Sequence, residues 1–62
     1  MWAIVFMGHS RVESDKIKSV LETEGLLVKV RQIGKEDDPV YEILVPQEEV
    51  EDAHEVLNEA VY

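Results

Sequence analysis

The chain has 62 residues, 45% of them hydrophobic and 32% charged, with a net charge of −8. That is the composition of one folded domain (1–62), not of a disordered segment. It leaves no room for a dinucleotide-binding domain, a barrel enzyme or a multidomain catalyst, since a domain of about 60 residues buries only about 60% of its unfolded surface. The absence of cysteine excludes disulfides, thiolate zinc sites and thiol catalysis, and points to the cytoplasm, because a secreted chain this small ordinarily needs such a staple.

Trp2-Ala3-Ile4-Val5-Phe6-Met7 is a continuous apolar run stopped by Gly8, the pattern of a strand with both faces covered. It is too short for a signal-peptide core, and no stretch approaches the roughly 20 apolar residues of a membrane span. Gly8-His9-Ser10 forms a turn, and Ser10-Arg11-Val12-Glu13 has capping-box spacing. A helix is predicted from Arg11 to Glu24, with Val12, Ile17, Val20 and Leu21 as its apolar stripe and Gly25 as a left-handed terminator.

Leu26, Val28 and Val30 then alternate with Lys29 and Arg31, as in a strand with one wet face. Gly34-Lys35-Glu36-Asp37-Asp38-Pro39 reads as a polar turn, and Val40–Val45 as the returning strand, with Tyr41, Ile43 and Val45 on one face and Glu42 and Leu44 on the other. In this hairpin Glu42 comes within cross-strand reach of Lys29 or Arg31, as an exposed pair of small net value. Pro46 ends the strand and suits the first turn of a second helix, whose predicted buried face is Val50, Ala53, His54, Leu57, Ala60 and Val61.

The order strand–helix–strand–strand–helix, with a right-handed crossover, predicts an α+β, ferredoxin-like βαββα fold without its last strand. The sheet is an antiparallel or mixed three-stranded one of order 1-3-2, with both helices on one face. The most apolar strand then lies on an open edge, a known route to association. Ala60 to Tyr62 are too few for a fourth strand. A homodimer follows as the expectation, through paired first strands or stacked helix-free faces, with Trp2, Ile4, Phe6 and Leu44 at the contact. The alternative is a monomer whose edge is shielded by Trp2 and the C-terminal tail.

All six basic residues fall in the first 35 positions, and the remaining 27 carry ten acids without a Lys or Arg. That half repels phosphate backbones and anionic lipid, so neither nucleic acid nor membrane is expected as a partner; it reads as a solvated acidic surface, with a basic partner protein as the alternative. Gly8, His9, Ser10 and Arg11 could seat a small anion at the helix start, the alternative to a purely structural turn. His9, His54 and the Glu36-Asp37-Asp38 run lack metal-ligand spacing. No nucleophile–base signature is present, so no metal, no cofactor and no catalytic residue is expected.

The segments Ile17-Lys18-Ser19-Val20-Leu21-Glu22-Thr23-Glu24-Gly25-Leu26-Leu27-Val28 and Tyr41-Glu42-Ile43-Leu44-Val45-Pro46-Gln47-Glu48-Glu49-Val50-Glu51-Asp52-Ala53 resemble the small bacterial prokaryotic signal-transducing proteins, whose fold is likened to nitrogen-regulatory PII domains. That resemblance implies a ferredoxin-like module with a regulatory role. The chain is also similar to short clostridial-type proteins labelled glutamate decarboxylase, which implies a minimal decarboxylase. Such an enzyme buries pyridoxal phosphate on a lysine, whereas Lys16, Lys18, Lys29 and Lys35 all fall at predicted surface positions.

Overall fold

The computed structural model describes the backbone of residues 1–61 and the side chains of residues 1–59. The chain runs through β1 (Trp2–Gly8), α1 (Arg11–Thr23), β2 (Lys29–Lys35), β3 (Asp38–Pro46), a 3-10 turn (Gln47–Glu49) and α2 (Val50–Val61). β3 lies between the other two strands and pairs antiparallel with each, in the order β1-β3-β2. This is the predicted ferredoxin-like βαββα arrangement, and among the described residues β1 keeps one edge unpaired.

Alternation along β3 sets the core. Ile43 and Val45 are fully buried and pack with Ile17 and Leu21 of α1 and Ala53 of α2, so both helices cover the same face. Leu26, Val28 and Val30 join this cluster from the segment entering β2 and from β2 itself, as their spacing predicts.

α1 is delimited by its ends. Ser10 Oγ accepts the Glu13 N–H at 3.2 Å, satisfying one of the donors a helix start leaves free. At the other end Gly25 takes a φ of 82°. Its N–H donates to the Glu22 carbonyl at 2.9 Å, and the Leu26 N–H donates to the Leu21 carbonyl at 3.2 Å. Those two bonds make a Schellman motif, and Leu26 returns the chain to the core beside Leu21. The buried stripe is Ser14, Ile17 and Leu21. Val12, predicted to be part of it, is 68% exposed. At about 100° per residue it falls roughly opposite Ser14.

β1 departs from simple alternation. Ile4 pairs with Leu44 but Phe6 pairs with Ile43, so a bulge at Val5 shifts the phase of the strand. Val5 and Phe6 pack against the core, and Met7 lies opposite Glu42. Phe6, predicted on the helix-free face, is therefore on the helix side. Gly8 suits this arrangement, because a Cβ there would stand 3.0 Å from the Phe6 ring.

The hairpin is tighter than predicted. Strand pairing continues through Lys35 and Asp38, leaving a two-residue loop of Glu36 and Asp37. The residue with left-handed backbone is Gly34, at a φ of 87°, where a Cβ would approach the Asp38 carbonyl oxygen at 3.0 Å. Pro39 is tolerated in the middle strand because β1 pairing stops at Tyr41, so β3 has only one neighbour there.

In α2, Ala53 is buried, and Val50, Val56 and Leu57 pack against the core. His54, predicted on the buried face, is exposed, and Val56 takes part instead. The predicted contributions of the Ala60 and Val61 side chains lie outside the described residues.

Replacing Gly25 by alanine forces a side chain into left-handed backbone, though nothing lies within 4 Å of the added Cβ. The expected loss is about 1–2 kcal/mol, read as a lower urea midpoint at unchanged slope.

Candidate functional site

With both helices on one side, the other side of the sheet has no covering layer among the described residues. The register places Trp2, Ile4 and Met7 of β1 across from Pro46, Leu44 and Glu42 of β3, and Lys29, Arg31 and Ile33 of β2 across from Leu44, Glu42 and Val40. Three of the four predicted contact residues, Trp2, Ile4 and Leu44, thus share the helix-free face. Met7 stands where Phe6 was expected. No sequence signal announces the one-residue bulge that makes this exchange.

The edge strands partly roof the middle one. Leu44 is 6% exposed and Glu42 only 4%, although no helix lies over them. The Lys29 ammonium sits 5.6 Å from the centre of the Trp2 ring, a cation–π approach that joins the two outer strands on either side of Leu44. One row along, Arg31 donates from Nε to Glu42 Oε1 at 2.7 Å, and its Nη2 meets the same oxygen. The Glu42 side chain is 6% exposed and that of Arg31 55%. The predicted exposed pair is therefore a buried carboxylate held by a half-exposed guanidinium. Met7 opposite Glu42 on the β1 side gives that carboxylate an apolar neighbour.

What remains open is apolar. Trp2 is 44% exposed, Ile4 43%, Met7 54% and Ile33 38%. The only acid at the register positions named above is Glu42, already paired, while Lys29 and Arg31 supply positive charge. On the helix side, Glu51, Asp52, Glu55 and Glu59 of α2 are exposed, and no Lys or Arg follows Lys35. The two sides of a chain of charge −8 therefore differ in electrostatic character.

The turn between β1 and α1 has its groups engaged locally. Gly8 ends β1 against the Phe6 ring. His9 points its Nδ1 toward Asp38, 3.9 Å away and well exposed. Ser10 caps the helix, and the Arg11 Nε is 4.0 Å from Asp15. These four residues do not converge on one point. Among the described residues, no group of three or more His, Asp or Glu side chains could hold a metal ion, and no helix is long and apolar enough to cross a membrane.

Comparison with models of protein families, with curated proteins and with solved structures found no match.

Replacing Arg31 by alanine strands a buried carboxylate, and the expected destabilisation is about 2–3 kcal/mol in urea unfolding. The double change Arg31→Met with Glu42→Leu removes both charges together and should recover most of that loss. Equal losses in the single and double variants would mean that the pair contributes only through side-chain packing.

Proposed function

We propose that this protein is a non-enzymatic cytoplasmic module that self-associates by stacking the helix-free sheet faces of two copies and acts in regulation by binding. One observation carries the reading. Trp2, Ile4, Met7 and Ile33 leave an exposed apolar strip around Glu42, whose carboxylate is paired with Arg31, and contiguous apolar surface of this kind marks contact sites.

Charge decides the occupant. Two chains of −8 repel wherever their acidic helix surfaces meet. The open sheet face is where they approach with least opposition, since its acid is neutralised by Arg31 and Lys29 adds a cation. A second copy of this face meets it apolar strip to apolar strip. Pairing of two β1 edges is less favoured, because the bulge at Val5 interrupts the regular edge that an added strand would need. The regulatory role rests on the resemblance of the Ile17–Val28 and Tyr41–Ala53 segments to prokaryotic signal-transducing proteins.

Sedimentation at micromolar concentration should show a species of twice the chain mass. Raising the salt from about 20 to about 500 mM should strengthen association by screening the net negative charge. Met7→Lys, at an exposed position, should give a monomer whose urea midpoint no longer depends on protein concentration, as that of the wild type does. A wild-type chain that stays monomeric throughout this range would falsify the reading.

A further inference from the structure

The helix-covered side of the sheet contains a second feature, independent of the self-contact. Beside the apolar core, α1 and the sheet leave a cleft of about 300 Å³. α1 lines it with Arg11, Ser14, Asp15 and Lys18, and the sheet with Gln32 and Tyr41 above Val30. The helical residues are spaced i, i+3, i+4 and i+7, which puts them on one side of α1. Gln32 and Tyr41 are register partners on β2 and β3, so the floor is a single cross-strand pair. Polar groups from three elements line this cleft, with Ser14 buried at its base, Lys18 and Tyr41 half-buried, and Arg11, Asp15 and Gln32 at its exposed rim.

Ser14 is the telling residue. It is 1% exposed, and its Oγ has no hydrogen-bond partner among the described residues. Buried hydroxyls are nearly always satisfied, and one that is not asks for an explanation. Alanine would fill the same helical position without that penalty. The oxygen is shut off from solvent where it stands, so a group entering the cleft supplies the missing partner once the Ser14 side chain turns to another staggered rotamer toward it.

We infer that this cleft binds a small organic oxyanion, a carboxylate or phosphate on a short hydroxylated body. Arg11 and Lys18, about two helical turns apart, give it two cationic arms. The Ser14 hydroxyl and the Gln32 amide can donate to the anionic oxygens. Asp15 accepts from a hydroxyl of the body, and its charge disfavours a ligand that is anionic all over. Tyr41 and Val30 provide the flat apolar wall. A space of about 300 Å³ is at the small end of ligand pockets and equals the volume of roughly ten water molecules, so the body is a few carbons long.

The test titrates the ¹⁵N-labelled chain with inorganic phosphate, glycerol 3-phosphate and glycerate. Saturable amide shifts at Ser14, Gln32 and Tyr41 are expected below about 10 mM of at least one of the two organic anions, and the arm that responds identifies the head group. Lys18→Met should weaken that binding about tenfold, and Ser14→Ala about threefold or more while holding or raising the urea midpoint. The assignment is overturned if no probe shifts these amides, if inorganic phosphate alone acts, or if shifts spread to Lys29 and Lys35 in proportion to ionic strength. It is overturned equally if Ser14→Ala leaves the affinity unchanged. None of these substitutions touches the helix-free face, so the oligomeric state measured on the same samples reports separately on self-association.

Discussion

Two helices of 13 and 12 residues can cover one side of a three-stranded sheet and no more. That limit governs the rest of the molecule. On the covered side, burial is complete at Leu21, Ile43, Val45 and Ala53, and truncating a buried leucine to alanine in such a core costs about 2–5 kcal/mol. On the uncovered side, the same strands must keep their middle dry with side chains alone. The chain does this by reaching inward from both outer strands, with Trp2 from one and Lys29 and Arg31 from the other.

This self-made roof explains how a carboxylate comes to be buried on a bare sheet face. Glu42 lies in the strand that is paired on both sides, beneath the guanidinium that neutralises it. A buried ion pair is weak evidence for stability, since well-packed apolar residues often serve as well. Its effect here is positional. It fixes β2 against β3 at one register, because a slip by one residue would bring Gln32, not Arg31, opposite Glu42.

Much of this was legible beforehand, and the exceptions have physical causes. The ends of α1 could be read directly, since Ser10 and Gly25 are chosen for local backbone reasons that hold whatever packs around them. Strand order followed from the positions of the apolar runs and the shortness of the connections. The bulge at Val5 could not be read, because every residue from Trp2 to Met7 is apolar and either phase satisfies both faces equally. The burial of Glu42 escaped for a similar reason. Its sequence neighbours announce an alternating strand, but only the third dimension brings Met7 and Arg31 to either side of it. Ser14 was passed over in favour of Val12, although the i, i+3, i+7 spacing of residues 14, 17 and 21 was available. Hydrophobicity outweighed periodicity there, and the polar residue at the buried position is the one that draws attention to the cleft.

The charge pattern of α2 bears on how the molecule comes apart. Acids occupy its first turn, where the helix dipole welcomes them, yet Glu55 and Glu59 continue toward its far end and its last turn has no cation. A helix of that length and pattern has little reason to persist alone in water. It stays wound because Ala53, Val56 and Leu57 rest on the sheet. Loss of tertiary contact and loss of helix therefore coincide in this part of the chain.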